Sequence, residues 1–180
     1  MHITNITAYP LSITRAAPSW TAHEISTDAT LILIEVQTDA GVCGYGEVQG
    51  GPLPLICRLI EQFGEVIRGM DALAQTDVWE RLFALTSPRP GWMRGQDGLP
   101  PPLPRGQRPQ AMAALGGIDI ALWDIKGKAA NLPVYRLLGG SCARVFTYAT
   151  GGYYLEGAPL EACAEELGGF VAAGYRAVKM

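Results

Sequence analysis

Lys179 is the residue of this sequence best placed to do chemistry: a lysine within the apolar context YRAVKM, residues 175–180. An ammonium in such a stretch either sits in solvent at the end of a strand or lies in an apolar pocket that shifts its pKa. Position alone favours the solvated reading. Tyr148, Thr150 and Gly151 close an earlier apolar stretch, RVFTYATGGYY. If the two stretches are adjacent parallel strands, both deliver polar groups at their carboxyl ends, where α/β proteins bind ligands. A second pair, Trp20 and His23, lies in the irregular segment TRAAPSWTAHEISTD. A loop histidine is ordinarily just solvated, and the neighbouring indole makes a pocket-lining role conceivable.

Other groupings carry less. The segment GVCGYGEV has a G-x-x-G-x-G spacing, but no helix opens after it, so the strand-turn-helix context of a phosphate loop is missing. Gly44 and Gly46 therefore read as strand glycines near a bend. Asp119 and Asp124 are five apart on a helical stretch, about 500° of rotation, so they form no stacked carboxylate pair. Charges on a helix surface or at a packing interface are the expectation. Cys43, Cys57, Cys142 and Cys163 are scattered with no C-x-x-C pair, which argues against a zinc site and a disulfide framework and for small buried side chains.

Composition narrows the class. The 180 residues are 48% hydrophobic and 17% charged with a formal net charge of -3, an ordinary globular balance. No Lys/Arg block offers a footprint for a phosphate backbone, so nucleic acid is not an expected partner. MHITNITAYP lacks the basic and apolar regions of a signal peptide, and no apolar run approaches the roughly 18 residues of a spanning helix. The expectation is a cytoplasmic protein without a membrane partner.

The elements that would position these residues follow from periodicity. HITNITAYPL and ATLILIEVQTDAGVCGYGEV read as strands of an antiparallel meander, turning at Asp39-Ala40-Gly41. TRAAPSWTAHEISTD fits neither period and is expected to be an exposed loop. Leu55, Ile56, Leu59, Ile60, Phe63, Val66 and Ile67 recur at helical spacing, with Gly69 at the C-terminal end. Asp77 and Glu80 resemble a capping pair for a short helix, VWERLFALT. SPRPGWMRGQDGLPPPLPRGQRPQ is a long loop. A third helix carries Met112, Leu115, Ile118, Leu122, Ile125 and Ala129 on one face, and its Gly116, Gly117 and Gly127 call for close packing against a neighbouring backbone. From residue 141 onward a buried strand, a helix with Leu160, Cys163, Leu167 and Phe170 on one face, and a second buried strand make a β-α-β unit. Parallel strands need cover on both faces, so the unit reads as the opening of a larger barrel or open sheet.

Residues 113–140, AALGGIDIALWDIKGKAANLPVYRLLGG, resemble the signature of the mandelate racemase and muconate lactonizing enzyme family of the enolase superfamily. The likeness extends to the N-terminal hairpin TLILIEVQTDAGVCGYGEV and to VFTYATGGYY and GYRAVKM as first barrel strands. Asn131 stands where the family often has glycine. The resemblance implies an α+β capping domain, an antiparallel meander plus helices over 1–140, followed over 141–180 by the first β-α-β of a TIM-like (β/α)7β barrel. It also implies removal of a proton α to a carboxylate, with a bound Mg2+ stabilising the enediolate. Lys179 matches the first lysine of the family's K-x-K motif, which approaches the substrate carboxylate and influences the second lysine, the usual base. That base would be residue 181, and the metal-binding carboxylates would follow on later strands.

By the same resemblance Trp20 and His23 overlie the active site, while Tyr148 stays a substrate-binding candidate from its strand-end position. A small-molecule carboxylate is the expected ligand and a homo-oligomer the expected assembly. The function expected is that of the N-terminal part of a dehydratase or racemase/epimerase acting on a hydroxy acid or acid sugar. A free-standing, non-catalytic cap that serves binding or oligomerisation is the alternative.

Overall fold

The computed structural model describes residues 1–180, which divide into two compact units: Met1–Leu11 with Thr30–Gly140, and Ser12–Ala29 with Ser141–Met180. Two long strands run through both lists, β1 (Ile3–Trp20) and β2 (Ile25–Thr38).

In the first unit β2 pairs antiparallel with β3 (Cys43–Gln49), from Leu31 opposite Gln49 to Gln37 opposite Cys43. The turn is the one expected: Gly41 has φ +74°, and its N–H donates to Thr38 O at 3.1 Å. Every second residue of β2, Ile32, Ile34, Val36 and Thr38, is buried, which is the period-two signature of a sheet with one covered face. Helices supply the cover: α1 (Leu53–Ile67), α2 (Gln75–Phe83) and α3 (Arg108–Ala130). Ile56, Leu59, Ile60, Phe63 and Ile67 of α1 join Leu115, Ile118, Leu122 and Ile125 of α3 in one core. Met112 is only half-buried and Ala129 is exposed, while Ala111, Ala114, Gly117 and Ala121 are buried, so the buried face of α3 is broader than its large apolar residues and shifted toward the small ones.

The glycines show how closely α3 approaches β3. A Cβ on Gly46 would collide with the carbonyl oxygen of Gly117, and one on Gly44 with that of Ala121. A Cβ on Gly117 would lie 2.6 Å from both Ile34 and Val48 side-chain atoms. Backbone thus packs on backbone, as the glycine run in the helix required. Gly116 departs from that expectation, since nothing lies within 4 Å of where its Cβ would be. Gly127 meets Leu132 O of its own C-terminal turn at 3.1 Å. That turn contains Asn131 in the left-handed region at φ 50°, a conformation asparagine tolerates better than most residues. A short helix, α4 (Val134–Leu137), follows.

Two local expectations change. Helix α2 starts at Gln75 with no side-chain cap, so Asp77 lies within its first turn and makes no capping pair with Glu80. The proline-rich segment, expected to be a long loop throughout, contains two 3-10 turns, Trp92–Arg94 and Arg105–Gln107, and its last residues from Arg108 belong to α3. Arg89 donates from Nε to Asp97 Oδ2 at 2.7 Å and from its two terminal nitrogens to Ala84 O at 2.8 Å and Pro100 O at 2.7 Å. One guanidinium, 11% exposed, ties three points of the loop together. The cysteines are free but not fully buried: Cys142 is exposed and the other three are intermediate. Burial still pushes the Cys57 thiol above its ordinary pKa.

In the second unit the segment expected to be a loop is a hairpin, with β1 reaching Trp20 and β2 starting at Ile25. Both faces of this ribbon meet solvent, so its sequence carries no alternation to read. The turn closes through Thr21 N–H to Glu24 O at 2.9 Å. The β-α-β unit is present as β4 (Ala149–Thr150), α5 (Glu161–Ala172) and β6 (Val178–Lys179), with the two strands parallel. These strands are short, and both residues of β6 are exposed rather than buried. RVFTYATGGYY does not form one strand. Gly152 has φ +78°, which breaks the extended run, and Tyr154–Leu155 form a separate strand, β5, antiparallel to β1. Cys163, Leu167 and Phe170 of α5 are half-buried, while Leu160 lies outside the helix and is exposed.

Candidate active site

The parallel pair sets Ala149 opposite Val178 and Thr150 opposite Lys179. Its hydrogen bonds run from Ala149 N to Ala177 O at 3.2 Å and from Gly151 N to Lys179 O at 3.0 Å. Side chains alternate across a strand, and register partners share a face. Gly151 is buried against α5: a Cβ there would lie 2.6 Å from Phe170 Cε2 and 3.1 Å from the Glu166 carboxylate. Ala149, Gly151 and Val178 therefore lie on the side of the pair that α5 occupies, where Gly151 is buried and Val178 is exposed. Thr150 and Lys179 lie on the opposite side, and Tyr148 precedes β4 and is exposed. Thr150 and Lys179 are register partners at the two strand ends, and Lys179 is exposed there.

Trp20 and His23 come together in a different way. With Glu24, Thr27 and Glu156 they line a cleft of about 640 Å³, His23 at its exposed edge and Trp20 half-buried. The other side of the Trp20 ring borders a second cleft of about 450 Å³, whose walls include Tyr154, Leu160, Cys163 and Glu166. Neither Tyr148 nor Lys179 lines either cleft. Of the four expected residues, Trp20 and His23 share a cleft, while Tyr148 and Lys179 lie outside both clefts.

Two residues that sequence reasoning passed over organise this region. Glu166 accepts the Gly152 N–H at 2.8 Å, holding the chain as it leaves β4. Its spacing from Cys163 and Phe170 places it on the inner face of α5, a signal present in the helical period. Tyr154 stacks on Trp20 with ring centroids 6.3 Å apart and planes inclined by 35°. Nothing in its local sequence marked that contact, because the partner lies 134 residues earlier in a stretch without periodicity.

No group of three or more His, Cys, Asp or Glu side chains converges anywhere in the chain. These residues do not form a magnesium site. No helix is long and apolar enough to cross a membrane.

Residues 3–139 match the family described as mandelate racemase / muconate lactonizing enzyme, N-terminal domain. The chain belongs to that family. Its antiparallel sheet with α1, α2 and α3 is the family's capping domain, and the 113–140 signature lies almost wholly inside the match. The D-galactonate dehydratase family member RspA of Halomonas elongata is 33% identical over 152 residues, which are 83% of this chain and 32% of that protein. A crystal structure of an enolase superfamily member from Polaromonas sp. JS666 aligns with 100% of this chain and 44% of its own, at 37% identity and a TM-score of 0.78. Another, an enolase from Bradyrhizobium complexed with magnesium and mandelic acid, covers 83% of this chain and 37% of its own, at 26% identity and a TM-score of 0.63. The chain spans about a third of the curated relative and less than half of either crystallised protein. Relatives of this mandelate racemase-like chain are enolase-superfamily enzymes, with dehydratases among them.

Proposed function

We propose that this chain is the capping and barrel-opening portion of an enzyme that removes the proton α to the carboxylate of an acid sugar or hydroxy acid, with dehydration as the preferred outcome. The observation that carries the reading is Lys179: it sits at a strand end beside Thr150, on the face turned away from α5. In a barrel the helices lie outside, so that face is the interior one. The dehydratase name of the Halomonas relative supports the choice of an acid sugar. Magnesium enters the reading only through the magnesium- and mandelic-acid-bound relative, and supplies, when bound, a Lewis acid for the carboxylate oxygens.

The role proposed for Lys179 is electrostatic. An α-proton beside a carboxylate is weakly acidic because its removal places a second negative charge on the same group. A cation held about 4 Å from that charge is worth about 4 kcal/mol at a protein-like dielectric. That corresponds to about 10²- to 10³-fold in rate. Tyr148, one residue before β4, would hydrogen-bond the substrate, while Trp20 and His23 would border its far end.

The test is exchange of the α-proton of D-galactonate and other sugar or hydroxy acids in deuterated buffer with Mg2+, followed by proton NMR, beside a Lys179→Met variant. Exchange by the wild type that collapses in the variant is expected. Acids that bind without any exchange would sink the enzyme reading in favour of a non-catalytic binding cap.

A further inference from the structure

We propose that Tyr154 is a positioning residue: through its ring and the β1–β5 pairing it pins the tip of the β1–β2 hairpin, sets where Trp20 stands, and thereby governs substrate affinity. The observation is the third strand. From Tyr9 to Ala17 every residue of β1 is at least partly exposed, and from Pro10 to Ala17 nothing on β1 is even half-buried. A two-stranded ribbon in water is marginal, so its tip would be expected to fray. At the last two residues this changes. Ser19 faces Leu155 and Trp20 faces Tyr154 in antiparallel register, Ser19 becomes 8% exposed, and the Trp20 and Tyr154 rings meet.

Trp20 is the wall shared by the two clefts, so its position sets the width of both. The same pairing delivers Glu156, the residue after β5, into the cleft that His23 lines. A tip held in this way is a fixed wall. If the Tyr154 ring is lost, the two-residue β1–β5 pairing keeps only its backbone bonds, and Trp20 and Glu156 are held less firmly. Tyr154 itself touches neither Tyr148 nor Lys179 in this account and takes no part in proton removal. The kinetic part of the inference rests on the proton-abstraction reading. The structural part does not.

The experiment is amide hydrogen exchange of residues 12–29 in the full protein, for the wild type, Tyr154→Ala, Tyr154→Phe and Leu155→Pro, with steady-state kinetics on the same samples. Thermal melting checks that each variant is folded. Tyr154→Ala is expected to exchange about two- to tenfold faster at the tip, the worth of one aromatic pair. It should also raise KM while kcat stays within about twofold of wild type. Tyr154→Phe keeps the ring and should restore both. Leu155→Pro, which keeps the ring but removes a strand N–H, should loosen the tip as well. Unchanged tip exchange in Tyr154→Ala overturns the proposal whatever the activity, and faster exchange with an unchanged KM overturns its link to affinity. A wild type that exchanges no α-proton overturns the enzyme reading instead, while tip exchange still decides whether the latch exists.

Discussion

Asp124 reaches from α3 to the open edge of the sheet: its Oδ2 accepts the Tyr45 N–H of β3 at 2.9 Å. The same oxygen accepts Lys128 Nζ at 2.6 Å, and Lys128 donates onward to Cys43 O at 2.8 Å while lying 4.7 Å from the centre of the Tyr45 ring. β3 is an edge strand, so these backbone groups would otherwise offer a pairing template to another chain. An acid and a base at i and i+4 on one helix close it.

Asp124→Ala should therefore cost about 1–2 kcal/mol in urea unfolding, the price of an unmade backbone partner more than of a surface ion pair. Asp124→Asn keeps an acceptor for Tyr45 and should lose less than half as much. Equal losses in the two variants would mean that the Lys128 charge pair, and not the edge hydrogen bond, carries the effect.

Two glycines separate packing from propensity. Gly46→Ala drives a methyl group into the Gly117 carbonyl oxygen and should destabilise by about 1–3 kcal/mol or more, as overpacking does. Gly116→Ala meets open space within a helix and should stabilise by about 0.5–1 kcal/mol. Chemical denaturation of the two single variants checks both signs, and a stabilising Gly46→Ala would disprove the close approach of α3 to β3.

The loop clamp has a pH signature. Hydrogen bonds from Arg89 hold the Asp97 carboxyl below its ordinary pKa. A depressed carboxylate stabilises the fold above its unfolded pKa, about 3.9, and that stability is lost as pH falls through the folded value. Asp97→Asn should thus be less stable than wild type near neutral pH, and the gap should close in acid as Asp97 itself protonates. Melting curves at several pH values test this; a gap that persists below both pKa values would assign the loss to packing.

Lys179 is exposed, so its removal should separate activity from stability. Lys179→Met is expected to melt within about 0.5 kcal/mol of wild type while α-proton exchange falls by about 10²- to 10³-fold. A variant with full exchange activity would remove Lys179 from the proposed site.

How much of this was legible depended on whether burial left a pattern. Helix α1, the Asp39-Gly41 turn and the alternation of Ile32, Ile34 and Val36 were readable because each residue's environment follows its own element's period. The GVCGYGEV glycines were readable as strand glycines for lack of a helix behind them. The hairpin tip was not, because a ribbon wet on both faces has no hydrophobic period to show. The final strands are shorter and wetter than their composition implies: β4 and β6 are two residues each, and Val178 and Lys179 are exposed.

The resemblance of residues 113–140 to a family signature carried the family and its α+β cap, while residue types and spacing gave the β-α-β order and Lys179 at a strand end, since periodicity is a property of neighbours along the chain. Only the tertiary structure decided which side chains meet: Thr150 beside Lys179 on the face away from α5, Asp124 on the β3 edge, Arg89 across its loop, and Trp20 against Tyr154. Those contacts join residues up to 134 positions apart, and their geometry is set by strand register and helix docking, which no local pattern encodes.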